Sequence, residues 1–171
     1  AYEIMPSLVG SEMCIRDRKY IDYTNYFIDH LEILELRNKK VKTNKTLLYL
    51  HGGRNLACGP ETHGALLTQL SLITNSPVVF PIYRLAPENP FPAAIEDALI
   101  TYKGLLEKGI SPNEIFIAGD SAGGGLTLAL LQKIRSEEFR SITVCKTLLI
   151  LRKMFVSKSI KILLHELNQD V

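Results

Sequence analysis

The sequence has few of the features that mark specialised classes of protein. It contains no tryptophan and only three cysteines among 171 residues, at positions 14, 58 and 145. This odd and widely spaced set fits neither a disulfide framework nor a zinc site. No apolar run approaches the ~18 residues that a membrane-spanning helix needs. The net charge is only +2, which is too small to indicate a nucleic-acid-binding surface.

The remaining composition is that of a globular domain. Hydrophobic residues make up 46% of the chain and charged residues 22%, which is enough apolar material to offset the entropy lost on folding. The length is typical of one domain. The chain does not start with the basic and apolar regions of a secretory signal, so we expect a cytoplasmic protein. We expect no membrane span and no nucleic-acid partner, and the sequence leaves the oligomeric state open.

Glycine and proline are missing from the last 46 residues. An α/β domain needs these residues at its turns, so this segment is either mostly long helix or unrelated to the rest. Residues 140–161 also hold six basic residues and no acidic ones. Three interpretations stay open: a membrane-surface or partner helix, the basic face of an ordinary helix, or a shifted reading frame. We therefore separate residues 139–171 as an atypical basic tail.

Residues 1–18 are set apart as well. They contain the string LVGSEMCIRDR, which resembles a translated sequencing-adaptor segment. A natural, disordered N-terminus is the alternative. Neither interpretation carries information about the fold, so we exclude this segment from it.

The middle of the chain alternates between short apolar segments and longer segments of helical spacing. Strands are predicted over residues 31–36 (as an edge strand), 45–50, 77–83 and 114–118, and helices over residues 61–75, 92–108 and 123–131. Strands that alternate with helices of about ten residues or more indicate parallel pairing with crossover helices. The predicted fold class is therefore α/β.

One serine motif carries most of the functional argument. Gly119-Asp120-Ser121-Ala122-Gly123 fits G-x-S-x-G, between a predicted strand and a predicted helix. At such a turn the backbone is strained, the hydroxyl projects from the sheet edge, and side chains at positions 119 and 123 would collide with their neighbours. The Ala122 N–H at the helix start favours negative charge. We predict that Ser121 is a nucleophile and that Ala122 forms half of an oxyanion hole.

A glycine-rich loop follows the strand predicted at residues 45–50. It reads His51-Gly52-Gly53-Arg54, and its backbone N–H groups can reach the same oxyanion. Alone, the two glycines would indicate a simple turn. Together with the serine motif they form a set of residues that favours nucleophilic catalysis.

These motifs resemble the hormone-sensitive-lipase-like branch of the α/β hydrolases. That branch carries H-G-G-G, Y-R-L-A-P-E and G-D-S-A-G-G in this order. The chain has HGGR at residues 51–54, YRLAPE at residues 83–88 and GDSAGG at residues 119–124. The resemblance covers about residues 45–131. It implies that residues 19–138 form the N-terminal half of an α/β-hydrolase fold, with a mostly parallel sheet and flanking helices.

The resemblance implies a carboxylic ester hydrolase that works through an acyl-enzyme, with a small or medium ester as substrate and no metal or organic cofactor. Ser121 matches the nucleophile, and the N–H groups of Gly53, Arg54 and Ala122 match the oxyanion donors. Arg54 departs from a glycine that a positive φ would favour, and its side chain would crowd the pocket. His51 is expected to organise the loop rather than act as base. The other supporting motif residues are Gly52, Gly119, Asp120 and Gly123.

Two further positions stand out within the resemblance. Cys58 replaces a glycine of the family pattern. Arg84 and Glu88 are expected to form an ion pair that braces the loop under the site without taking part in catalysis.

The family's acid and base, which follow the serine in the order carboxylate then histidine, are not evident. Only 50 residues follow Ser121, and the one downstream histidine, His165, precedes Glu166 and Asp170. We therefore expect that the chain is truncated and that the acid and base lie outside it. Two alternatives stay open. One is a non-catalytic binding protein on the same fold, as in gibberellin-receptor relatives that lack the histidine, and the other is a non-functional fragment.

Overall fold

The computed structural model of the protein describes residues 19–40 and 43–136, together with the backbone of residues 147–150. Within these residues the chain forms a single sheet with α-helices packed on it. In chain order the elements are β1 (Ile21–Ile28), β2 (Leu31–Asn38), β3 (Thr46–Leu50), α1 (Pro60–Thr74), β4 (Val78–Pro81), α2 (Ala93–Glu107), β5 (Ile115–Asp120), α3 (Ala122–Ser136) and β6 (Thr147–Ile150). A short 3-10 helix, Pro112–Glu114, leads into β5.

The sheet has the strand order β1-β2-β4-β3-β5-β6. Strands β4, β3, β5 and β6 pair in parallel, whereas β1 and β2 are antiparallel to their neighbours. Parallel neighbours need a crossover connection, and α1, α2 and α3 each lie between two successive strands of the parallel part. The structure thus confirms an α/β fold with a mostly parallel sheet and flanking helices.

The helices cover both faces of the sheet. On one face Leu67 and Leu70 of α1 pack against Leu47 and Tyr49 of β3. On the other face, α2 and α3 pack against Leu48 and other strand residues. All five residues of β3 are buried, as expected for a strand with helices on both sides. In the part of the chain described here, no helix has both the length and the apolar character to cross a membrane.

The predicted edge strand at residues 31–36 is a strand but not an edge, so that detail is wrong. β2 lies between β1 and β4, because β1 pairs along its full length on the outer side. β1 is absent from the strands predicted from the sequence. Polar residues interrupt its apolar pattern, and few of its side chains are buried. The other predicted strands and helices are present, with ends that differ by a few residues.

Four residues of the C-terminal segment belong to the sheet. The backbone of Thr147–Ile150 pairs in parallel with β5, so these residues form a strand and not the long helix that the missing glycines allow. The rest of residues 139–171, and all of residues 1–18, lie outside the described residues. The interpretations of both segments stay predictions.

Replacing a core leucine tests the packing of β3. Leu48 is fully buried, while Leu128 on α3 is 48% exposed. We expect Leu48→Ala to lower the free energy of unfolding by about 2–5 kcal/mol, because it removes buried methyl groups and leaves a cavity. Leu128→Ala is the matched control and should change it by no more than about 0.5 kcal/mol. Urea titrations followed by circular dichroism measure both, and equal effects would contradict the described packing.

Candidate active site

Ser121 sits at the junction of β5 and α3 in a strained backbone conformation. Its φ is +51°, a value that residues other than glycine seldom adopt. The Ser121 carbonyl accepts hydrogen bonds from the N–H groups of Gly124 and Gly125 at 3.1 and 3.3 Å, so α3 begins directly after it. The side chain is exposed. The turn therefore presents the hydroxyl to solvent at the positive end of a helix.

Two glycines allow this turn by letting three backbone segments approach closely. A Cβ on Gly119 would lie 2.5 Å from the carbonyl oxygens of Leu50 and Gly123. A Cβ on Gly123 would lie 2.0 Å from the Leu50 oxygen and 2.4 Å from the His51 oxygen. Both distances are far inside van der Waals contact, so only glycine fits at either position.

The loop after β3 lies beside this turn because β3 and β5 are parallel neighbours. Leu50 is aligned with Gly119, which places His51 and the following residues next to the start of α3. Gly53, Arg54 and Asn55 have φ values of +109°, +60° and +59°. Arg54 therefore occupies a left-handed conformation that glycine would adopt without strain.

Three backbone N–H groups remain available at the junction of this loop and α3. They belong to Gly53, Arg54 and Ala122, and none of them donates a hydrogen bond within the ranges that the structure describes. The first N–H groups of a helix lack intrahelical partners, which accounts for Ala122. Such groups can bind an anion or a developing oxyanion.

Asp120 connects the loop to the turn. Its Oδ1 accepts a hydrogen bond from the Gly52 N–H at 2.8 Å and from the Tyr49 hydroxyl at 3.1 Å. The same oxygen lies 3.3 Å from His63 Nε2 at the start of α1. One carboxylate thus connects β3, its loop and α1 to the end of β5, next to Ser121.

These contacts determine the charge state of Asp120. Burial acts to raise the pKa of this carboxyl, but the hydrogen bonds from His63, Gly52 and Tyr49 outweigh it and hold the pKa below its ordinary value. Burial next to this anion has the opposite effect on Tyr49, whose pKa it raises strongly. Asp120 is therefore ionised at neutral pH and Tyr49 is a neutral donor.

His51 is a packed loop residue. Its side chain is 1% exposed, and its Nδ1 lies 2.7 Å from the Gly52 carbonyl oxygen. The ring stacks on Tyr83 at 4.3 Å between centroids, and the Tyr83 hydroxyl donates to the His51 carbonyl at 2.7 Å. Burial lowers the pKa of His51, so the ring is neutral at pH 7.

Arg84 braces the loop after β4, but its partner differs from the one expected. The pair with Glu88 is wrong, because Arg84 contacts Asp97 and Glu96 of α2 at 2.7 and 3.6 Å. The backbone N–H of Arg84 also donates to Asp97 at 2.8 Å. The Asp97 side chain is fully buried, and hydrogen bonds from Arg84 overcome its burial and lower its pKa. Two adjacent acidic residues, Glu96 and Asp97, within the otherwise apolar run 93–99 were the available signal for this partner.

A cavity of about 390 Å³ opens beside the serine turn, and we call it the elbow cavity. Ala122, Arg54 and Asn55 line it, and the N–H groups of the first two are available. Its remaining lining comes from α2, α3 and the loop that precedes α2: Arg84, Ala86, Asn89, Phe91, Ala94, Ile95, Gly125, Leu126 and Ala129. The described residues include no group of three or more side chains suited to a metal ion.

The structure brings the predicted site residues together at one edge of the sheet. Ser121, Gly53, Arg54 and Ala122 meet where β3 and β5 end, with the supporting residues around them. Cys58 has a φ of +79°, so it too stands where glycine would be unstrained. Sequence reasoning missed Tyr49 and His63 as partners of Asp120. The parallel pairing of β3 with β5 brings Tyr49 close, and the position of α1 on the sheet brings His63 close.

An exposed serine on a strained strand-to-helix turn is characteristic of the α/β-hydrolase fold. The chain belongs to the alpha/beta hydrolase fold family, whose sequence pattern matches residues 47–156, and to its hormone-sensitive-lipase-like branch. The match extends past residue 138, where the sequence analysis ends the hydrolase segment.

Two relatives and two solved structures illustrate this membership. An acetyl-hydrolase from Streptomyces hygroscopicus is 47% identical over 91 residues, which are 53% of this chain and 30% of that protein. Esterase LipU from Mycobacterium tuberculosis is 42% identical over 113 residues, 65% of this chain and 38% of the relative. The chain thus spans well under half the length of either relative.

The structures are similar esterases. The first is an esterase from the bacterial hormone-sensitive lipase family. It superposes with a TM-score of 0.67 at 34% sequence identity, and the match covers 69% of this chain and 40% of the esterase chain. The other is EstE5 soaked with p-nitrophenyl butyrate, with a TM-score of 0.67 at 32% identity, over 75% of this chain and 48% of its own.

Changing two glycines of α3 tests the close approach at the turn. We expect Gly123→Ala to destabilise the fold by at least about 3 kcal/mol, because its Cβ would overlap backbone that cannot rotate away. Gly125→Ala is the control, since a Cβ there meets nothing within 4 Å, and it should stabilise the helix by about 1 kcal/mol. Denaturant midpoints of the two variants measure the contrast, and variants of equal stability would refute the described turn.

The ionised Asp120 makes stability depend on pH. Its folded pKa lies below the ordinary value, so its contribution is present above about pH 4 and is lost as the pH falls through the folded pKa. We expect Asp120→Asn to cost about 1–2 kcal/mol at pH 7, and this cost should shrink in acid. Unfolding titrations at several pH values measure it.

The control for that experiment is Asp22→Asn, which removes an exposed carboxylate that contacts Lys39 at 3.5 Å. It should change stability by less than about 0.5 kcal/mol at any pH. If the cost of Asp120→Asn does not vary with pH, Asp120 does not form the ionised connection described.

Proposed function

We propose that the protein hydrolyses small or medium carboxylic esters through an acyl-enzyme on Ser121. The observation that carries the proposal is the exposed Ser121 at φ +51°, directly before a helix and beside the available N–H groups of Gly53, Arg54 and Ala122. Strain held at one residue is characteristic of functional sites. The names of the relatives, an acetyl-hydrolase and an esterase, support the same class of reaction.

The reaction would proceed in two steps, acylation of Ser121 and hydrolysis of the acyl-enzyme. Ser121 Oγ attacks the ester carbonyl and loses its proton to a base, and the carbonyl oxygen becomes an oxyanion that the three N–H groups stabilise. The bond to the alcohol oxygen then breaks, and the alcohol leaves with a proton. Water repeats the sequence on the acyl-enzyme and releases the carboxylic acid and the free serine.

No described side chain forms a hydrogen bond with the Ser121 hydroxyl. The described residues therefore do not show a base in contact with it. His63 lies near the site, but its Nε2 faces Asp120 at 3.3 Å. His165 lies outside the described residues. The expectation that the acid and base lie outside this chain stays a prediction.

A second candidate is a non-catalytic binding protein that keeps the pocket. The observation that favours it is Arg54, which stands at φ +60° where glycine would hold the N–H without strain. If that strain displaces the donor, the site binds an ester without stabilising the oxyanion. The serine-directed experiment below separates this candidate from the hydrolase.

Ser121→Ala tests the proposal. We expect a fluorophosphonate to transfer its phosphonyl group to Ser121 of the unaltered chain with loss of fluoride. The reaction should be slow, because no described base contacts the hydroxyl and only the oxyanion donors assist it. Peptide mass spectrometry locates the adduct. Ser121→Ala should remove it entirely, and Ser136→Ala, which changes an exposed serine at the other end of α3, should not.

Steady-state hydrolysis of p-nitrophenyl acetate adds a second readout. Multiple turnovers that disappear in Ser121→Ala would support the hydrolase and overturn the expectation that the chain lacks its acid and base. An adduct on a residue other than Ser121, or no adduct at all, would contradict the nucleophile and favour the binding protein.

A further inference from the structure

The elbow cavity holds one positive charge that the fold does not use. Arg54 and Arg84 line it, and no acidic side chain is part of its lining. Arg84 is held by Asp97 and Glu96. The Arg54 side chain is exposed, and no residue of the described ranges forms a hydrogen bond or ion pair with it. Its guanidinium is therefore available to a ligand.

This charge shares the cavity with two of the three proposed oxyanion donors. Ala122 and Arg54, whose N–H groups donate to no described residue, both line it. Phe91, Ile95 and Leu126 give the cavity an apolar wall, and Phe91, which is 88% exposed, lies at its open side. A ligand that fits has an ester carbonyl near Ala122, a short apolar part along the wall, and an anionic group at Arg54.

The backbone of Arg54 adds an independent argument. At φ +60° arginine costs stability that glycine would not. The N–H group of this position is the same for both residues. What arginine adds is the side chain, and a planar guanidinium binds a carboxylate through two parallel hydrogen bonds.

We infer that Arg54 selects esters that carry a carboxylate on the acyl or alcohol part, such as monoesters of short dicarboxylic acids. This inference rests on the proposed ester hydrolysis at Ser121. It concerns which ester the site prefers, and it can be tested by binding alone.

Binding of stable amides tests the preference without any reaction. N-phenylsuccinamic acid carries the carboxylate, and N-phenylbutyramide is its neutral counterpart of similar length. By titration calorimetry we expect the acid to bind about tenfold more tightly, and the preference to shrink in ~1 M salt. Arg54→Gln should abolish the preference, and Arg54→Lys should keep part of it.

The Arg54 variants are matched for backbone strain, and Arg135→Gln matches Arg54→Gln in net charge. Arginine, glutamine and lysine all carry a Cβ at the same positive φ, so the strain is common to them. Arg135→Gln removes a positive charge from the exposed end of α3 and should leave the tenfold preference intact. An equal affinity for both amides, or a preference that survives Arg54→Gln, would overturn the inference.

Acylation separates failure of the inference from failure of the proposed function. The release of p-nitrophenol from p-nitrophenyl hydrogen succinate and from p-nitrophenyl butyrate reports acylation of Ser121. Acylation by both esters at equal rates, with equal binding of the amides, would refute Arg54 selectivity and leave the esterase intact. Anion-selective binding, with no modification of Ser121 by either ester or by the fluorophosphonate, would refute the esterase and leave Arg54 as the determinant of a binding site.

Discussion

The site depends on the close approach of three backbone segments at the carboxyl ends of β3 and β5. The carbonyls of Leu50 and His51 lie so near to Gly119 and Gly123 that a methyl group would not fit between them. This contact fixes the direction in which α3 leaves the sheet. It also forces Ser121 into its left-handed conformation, so the exposure of the hydroxyl follows from packing and not from the serine itself.

The carboxylate of Asp120 stabilises the arrangement that this packing produces. Asp120 is one residue before the serine, and its Oδ1 holds the loop through the Gly52 N–H at 2.8 Å. The lowered pKa of this carboxyl keeps it ionised, and charge-assisted hydrogen bonds are stronger than neutral ones. A fixed anion therefore holds the loop after β3 beside the start of α3. If the proposed function is right, the site needs no rearrangement as charge develops on a substrate.

The sequence predicts the parallel part of the sheet and the location of the serine turn, because both depend on local patterns. Strands with apolar residues on both faces and glycines at fixed offsets are visible in one dimension. β1 is not visible in this way, because its polar residues obscure the alternation of apolar and polar positions that marks a strand. Arg84 shows a different limit. Its sequence neighbour Glu88 was a plausible partner, but α2 folds back and offers Asp97, which lies buried where an unpaired carboxylate would be costly.

Arg54 marks the point at which the chain departs from its family's pattern. The family resemblance assigns its position a role through the backbone alone, and the structure adds an exposed guanidinium at the edge of the elbow cavity. In the proposed function, the same residue bears on both the oxyanion hole and the choice of ligand. Its strained φ connects these two roles, because any residue that relaxes the backbone also removes the charge.

The most direct test of this account is a crystal structure of the chain after reaction with a small alkyl fluorophosphonate. The account predicts phosphorus bonded to Ser121 Oγ, with one phosphoryl oxygen within hydrogen-bond distance of the N–H groups of Gly53 and Ala122. A phosphonyl group on Ser121 whose oxygen points away from both N–H groups would contradict the oxyanion hole, and an unmodified Ser121 would contradict the nucleophile.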